Sequence, residues 1–182
     1  MTIRTCLCLI TRPAPASAQA GAADLEVLLG LKKRGFGAGR WVGLGGHVED
    51  DEEPAGAAVR EVAEESGLVV APSALRHGAS LSFVFPARPA WDQTAEVFVT
   101  SSFLGQPTES DELIPRWFAA DRLPFDGMWD DAKYWLPVVL AGSRVVADIT
   151  FADDCATVAA IVPELRPVVP ELRPSVPLGT RG

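Results

Sequence analysis

Gly46-His47-Val48-Glu49-Asp50-Asp51-Glu52-Glu53-Pro54-Ala55-Gly56-Ala57-Ala58-Val59-Arg60-Glu61-Val62-Ala63-Glu64-Glu65-Ser66-Gly67-Leu68 is the stretch on which the reading of this chain turns. From Glu53 to Ser66 it has the pattern of a helix. Pro54 suits the first turn, the acids from Asp50 to Glu53 sit at the positive end of the dipole, and Gly67 suits the left-handed position that ends a helix. At about 100° per residue, Ala55, Val59, Val62, Ala63 and Ser66 fall on one side and predict a core-facing stripe. Glu61, Glu64 and Glu65 are related as i, i+3 and i+4, so the same geometry predicts one shared acidic face opposite that stripe. Three like charges so placed are unfavourable unless a cation sits among them. A hard divalent ion with oxygen ligands, Mg²⁺ with Mn²⁺ as a substitute, is the natural partner, and it keeps positions open for water and phosphate. Arg60 lies beside this face and is placed to hold Glu64 or Glu52.

An arbitrary acidic helix would carry such glutamates as a solvated face. Here a Gly-Gly turn, a separate glutamate and a fixed spacing coincide: Gly46, five residues, Glu52, seven residues, then Arg60-Glu61-Val62-Ala63-Glu64-Glu65-Ser66-Gly67-Leu68. Those residues fill every specified position of the Nudix box, and the chain resembles the Nudix hydrolase family. The resemblance implies an α+β fold with a mixed β-sheet sandwiched between helices, the box forming a loop-helix-loop that binds Mg²⁺. It also implies hydrolysis of a nucleoside diphosphate linked to another group.

The likeness extends over most of residues 3–160. Leu29 to Trp41, including Lys32-Lys33-Arg34-Gly35-Phe36-Gly37-Ala38-Gly39-Arg40, is similar to the run before the box in the family's animal MutT homologues, which sanitise oxidised purine nucleoside triphosphates such as 8-oxo-dGTP. Glu109-Ser110-Asp111-Glu112, Pro124-Phe125, Met128-Trp129 and Tyr134-Trp135 share that similarity. By it, the metal ligands would be the Gly46 carbonyl with Glu61, Glu64, Glu65 and Glu112, and Arg60 would join those glutamates in the catalytic set. The substrate would meet Thr5, Lys32, Phe36, Val42, Leu44, Gly45, His47, Phe83, Trp129, Asp130 and Asp131. Trp129 offers an indole face on which a purine can stack, worth about 1–3 kcal/mol, and Asp131 close behind it can share a proton with a base edge. The chain departs from those homologues in three places. Val42 stands where they carry an asparagine, Ala132 where they carry the second of two aspartates, and His47 where lysine is usual. Valine and alanine neither donate nor accept a side-chain hydrogen bond, so the base edge is read differently here.

The remaining segments read as strands at Thr5–Thr11, Glu26–Leu31, Ala79–Pro86, Ala95–Phe103, Arg116–Ala119 and Arg144–Phe151, with a brief extended piece at Trp41–Leu44 and a second helix from Trp129 to Leu140. The uncharged run Pro13–Ala23 reads as a lengthened hairpin loop. Near the end, Val162-Pro163-Glu164-Leu165-Arg166-Pro167 recurs as Val169-Pro170-Glu171-Leu172-Arg173-Pro174. Proline at that density predicts an extended, polyproline-like tail over 163–182, leaving 1–162 as the catalytic domain.

Composition sets outer limits. Sixteen Lys+Arg against twenty-four Asp+Glu give a net charge of −8, which argues against a nucleic-acid clamp, since that binding rests on phosphate neutralisation. A hydrophobic fraction of 48% and a mean hydropathy of +0.16 allow a sizeable core. No apolar run approaches a membrane span, and the one before Pro13 is too short for a signal peptide, so a cytoplasmic location is expected. Cys6, Cys8 and Cys155 make no disulfide framework; Cys6 and Cys8 read as small core-facing hydrophobes. The expected enzyme is a monomer or homodimer that releases nucleoside monophosphate and pyrophosphate from modified purine nucleotides. Alternative substrates are a nucleotide sugar, a dinucleoside polyphosphate or a pterin triphosphate. A non-catalytic nucleotide sensor is the alternative of another class.

Overall fold

The structure is a computed structural model that describes residues 2–14 and 25–166. The expected loop at Pro13–Ala23 and the second copy of the Pro-rich repeat fall almost wholly outside these residues. Among them, the strands are β1 (Ile3–Pro13), β2 (Leu25–Lys32), β3 (Trp41–Val42), β4 (Arg76–Val84), β5 (Gln93–Thr100), β6 (Leu113–Ala119), β7 (Arg144–Phe151) and β8 (Val158–Arg166). The helices are α1 (Pro54–Ser66) and α2 (Ala132–Leu140). The sheet runs β3-β2-β1-β5-β4-β7-β8, with β6 paired to β2. β1 with β5 and β4 with β7 are parallel and the other pairs antiparallel, so the sheet is mixed.

Alternation along β1 divides the core between the two faces of this sheet. Cys6, Cys8 and Ile10 pack with Ala57, Ala58 and Val62 of α1, whereas Leu9 packs on the other face with Trp135, Leu136 and Val139 of α2. Each helix therefore covers one face, as the α+β reading required. Both thiols are fully buried, and desolvation pushes them up to about 11 and about 12, consistent with inert core residues.

Two readings of the local pattern are corrected. The core-facing side of α1 is Ala57, Ala58, Val62, Glu65 and Ser66, while Ala63 is exposed and Ala55 and Val59 only half-buried. The helix is rotated from the expected stripe: Glu65, expected on the acidic face, is turned inward, where it accepts from the Gly45 N–H of the loop before α1. The second correction concerns Pro163, which lies within a strand: β8 pairs antiparallel with β7 from Arg166↔Arg144 to Val158↔Phe151. β8 is at the edge of the sheet, where a missing N–H is tolerated.

Candidate active site

The loop before α1 is fastened along β1. Cys8 N donates to Leu44 O (2.6 Å), Cys6 N to Gly46 O (2.9 Å) and Val48 N to Arg4 O (2.9 Å). Gly45 interrupts this run at φ +156°, and a Cβ there would collide with the Cys6 backbone, so only glycine lets the two chains approach this closely. Its N–H donates to Glu65 Oε2 (2.8 Å). Glu61 packs against Gly46 so tightly that a Cβ at 46 would strike its carboxylate. The Gly-Gly turn is thus cut to fit two glutamates of α1.

Arg60 organises the other acids. It donates from Nε and Nη2 to the two oxygens of Glu52 (3.2 and 2.9 Å), from Nη1 to Glu61 Oε1 (2.8 Å) and Glu64 Oε2 (3.2 Å), and from Nη2 to His47 O (3.0 Å). Its guanidinium holds the Glu52 carboxyl below the usual carboxylate range. Glu65 behaves differently. It is 2% exposed, and burial pushes its carboxyl up to about 7, helped by the charges of Glu61 and Glu112 and opposed by the Gly45 N–H and by Lys32, whose Nζ lies 4.0 Å away. Glu112 reaches the same place from the segment before β6, where it accepts from Arg34 Nη2 (2.9 Å).

Glu61, Glu64, Glu65 and Glu112 line one cavity of about 490 Å³ together with Gly46, His47, Arg60 and Lys32. They do not share a uniform face, since Glu64 is exposed and Glu65 buried. Among the described residues no three carboxylate, thiol or imidazole groups are drawn together into a metal cage, because Arg60 occupies the space between Glu52, Glu61 and Glu64. The residues nevertheless fit a hard divalent ion. Every donor is an oxygen, the Glu61 carboxylate lies directly against the Gly46 backbone, and Glu65 is a buried carboxyl that a nearby cation would ionise.

A second cavity of about 350 Å³ adjoins the first, and Lys32, Gly45, Gly46 and His47 border both. Its lining is largely aromatic and aliphatic. Thr5, Phe36, Val42, Phe83, Trp129 and Asp131 are all brought here, as the sequence predicted. Trp129 stacks on Phe36 (centroids 5.0 Å apart, planes at 17°) and carries the Arg40 guanidinium at 4.3 Å. Asp131 is buried at the cavity wall, where its Oδ2 accepts from Trp135 Nε1 (2.7 Å); burial is the main cause that pushes its carboxyl up to about 6.

Two expected substrate residues are not brought to the cavity. Leu44 is fully buried on the α1 side of the sheet, because its carbonyl pairs with Cys8 and the alternation turns its side chain away. Asp130 is committed elsewhere, accepting from Lys133 Nζ (2.6 Å) and from the Val158 N–H (2.9 Å) that opens β8. Conversely, Phe85, Trp91, Gln93, Met128, Trp135 and Phe151 line the cavity without having been singled out as binding residues. A tryptophan in the proline-rich turn Pro86-Ala87-Arg88-Pro89-Ala90-Trp91 was the available signal.

Known proteins resemble this chain in sequence and in fold. A sequence model of the NUDIX domain matches residues 17–139. The chain is 42% identical over 128 residues to the oxidized purine nucleoside triphosphate hydrolase of Mus musculus, covering 70% of this chain and 80% of that one. The Danio rerio protein of the same name is 42% identical over 126 residues, covering 69% and 79%. Among solved structures, the MutT protein of Bacillus halodurans superposes with a TM-score of 0.68 at 18% identity, covering 89% of this chain and 97% of that one, a likeness of fold. The MutT NUDIX hydrolase of Burkholderia pseudomallei gives 0.57 at 26% identity, covering 68% and 88%.

Proposed function

Since the chain belongs to the Nudix family and is a Nudix hydrolase, we propose that it cleaves oxidised or otherwise modified purine nucleoside triphosphates to the monophosphate and pyrophosphate, with Mg²⁺, as a nucleotide-pool sanitising enzyme. The observation that carries this reading is the continuity of the two cavities across Lys32, Gly45, Gly46 and His47. A nucleotide with its base in the apolar cavity can run its phosphates past those shared residues into the acidic cavity.

In this reading the Gly46 carbonyl with Glu61, Glu64, Glu65 and Glu112 holds the metal. Bound there, Mg²⁺ supplies phosphate neutralisation and lowers the pKa of an attacking water. Arg60 keeps Glu52, Glu61 and Glu64 in register, and its hydrogen bonds to Glu61 and Glu64 loosen when those oxygens take another partner. Glu64 or Glu112, each more solvent-facing than Glu65, receives the water's proton. Trp129 stacks the base, Asp131 meets its polar edge, and Lys32 spans base and phosphate ends.

Val42 and Ala132 both line the base cavity and leave Asp131 as its single acid. That observation favours a second reading, in which the same chemistry serves another nucleoside diphosphate derivative. Turnover of 8-oxo-dGTP, dGTP, dATP and their ribo forms at matched concentration separates the two. A modified purine triphosphate turned over at least about ten-fold better than its canonical parent, with pyrophosphate as product, supports the first. Equal turnover of all, or activity on nucleotide sugars alone, overturns it.

A further inference from the structure

The apolar cavity has one wall that lies outside the Nudix box and outside α2. Trp91 ends the short turn Pro89–Trp91 between β4 and β5, and it is held there from several sides. Its N–H donates to Arg88 O (2.8 Å), the Phe85 N–H donates to Asp92 Oδ1 (2.7 Å), and the Arg88 guanidinium lies over its ring at 4.6 Å. Its ring meets Phe85 edge-on at 5.7 Å and Phe36 edge-on at 5.3 Å. Phe36 is therefore flanked by Trp91 and Trp129, the latter stacked on it at 5.0 Å.

Phe36 needs such support. It sits in the turn between β2 and β3 with Gly35 and Gly37 on either side, both at positive φ (74° and 81°), and Gly35 has open space around its Cα. Its own ring is 41% exposed. A phenyl ring on a glycine-flanked turn has wide freedom unless neighbouring rings fix it. Phe85, buried and with its ring stacked on Phe151 at 4.5 Å, gives a packed back wall. Trp91 borders the apolar cavity and is absent from the lining of the acidic one.

We propose that Trp91 is a specificity-determining positioning residue, which fixes the Phe36 ring against Trp129 and so shapes this wall of the apolar cavity for a two-ring base. The proposal rests on the reading of this cavity as the nucleotide-base site. Loss of the Trp91 ring removes one of the supports of Phe36 and widens the apolar cavity at this wall, while the carboxylates at the phosphate end are untouched. The effect therefore falls on base affinity and on KM, and kcat is preserved.

The test uses the full chain, with purine and pyrimidine nucleoside monophosphates as probes in titration calorimetry and the triphosphates in turnover. Trp91→Ala is expected to weaken purine monophosphate binding about ten-fold, and the pyrimidine by less than about two-fold. KM for the purine triphosphate rises in step with kcat unchanged, and Trp91→Phe restores most of the affinity. Trp91→Leu carries the same comparison if the alanine variant does not fold. Equal weakening for both base sizes, or a fall in kcat at unchanged KM, overturns the proposal. Wild-type protein that binds neither monophosphate refutes the base-site reading itself, whereas purine binding undiminished in Trp91→Ala refutes the role of Trp91 alone.

Discussion

Asp131 and Glu65 are carboxyls that the fold buries against their preference for water, and they sit at opposite ends of one cleft. Asp131 is the simpler to test, because Trp135 Nε1 is its one charge-independent partner and an asparagine oxygen can replace it. Its carboxyl ionises near 3.8 when exposed and near 6 in the fold, so between those values the folded chain holds a proton that the unfolded chain has lost. The stability this group contributes is complete below about pH 4 and is lost as pH rises through 6, by on the order of 3 kcal/mol. Urea melts of wild type and Asp131→Asn at pH 4 and pH 7.5 check this: the variant should gain on the wild type at the higher pH. Parallel pH dependence in the two proteins would contradict it. At this scale Glu52, Glu61, Glu64 and Glu65 were legible because one arginine that bridges three of them, and a glycine turn that receives the fourth, require fixed spacing. Leu44 and Asp130 were not, because each answers to a partner distant in sequence: Leu44 to the phase of β1, and Asp130 to the N–H of Val158 in a strand that composition concealed.

Helix α1 and strand β7 have the bounds their patterns predict within a residue, since a proline start and a left-handed glycine end fix the first, and an alternating apolar run the second. β1, β2 and β6 run longer than expected, and β4 and β5 begin earlier and end earlier, because pairing orders polar residues such as Arg4, Gln93 and Thr94 that carry no strand signal of their own; β3 keeps only Trp41–Val42. Helix α2 begins at Ala132 and not at Trp129, which leaves Trp129 on a turn and free to face the cavity. β8 was hidden by its proline. Its four pairs from Pro163↔Ala147 to Arg166↔Arg144 carry the sheet past the boundary expected at 162. A chain cut after Arg166 should melt as the full chain does, and one cut after Val162 should melt lower, with the loss of those pairs costing about 1–3 kcal/mol. Equal melting of the two truncations would show that these residues carry no weight in the domain.

Across the whole molecule the net charge is −8, and part of that acidity is concentrated at one cavity. Glu49, Glu61, Glu64, Glu65, Asp111 and Glu112 border the acidic cavity against only Lys32 and Arg60, with His47 between them. On the proposed function, a triphosphate arriving there would meet repulsion unless a divalent ion stood between, and the same acids would draw that ion in. The apolar cavity next door supplies the opposite environment, and α1 and α2 on the two faces of the sheet keep both ends in fixed relation. No described helix is long and apolar enough to cross a membrane. The most direct test of this division of labour is Mg²⁺-dependent pyrophosphate release from a modified purine triphosphate by wild-type and Glu65→Gln protein. The account predicts that the wild type turns over only with Mg²⁺. It also predicts that Glu65→Gln loses at least about a hundred-fold in kcat while its metal-free form melts no lower, since a buried charge has been removed. Unchanged turnover in Glu65→Gln, or release that persists when the divalent ion is chelated, would contradict it.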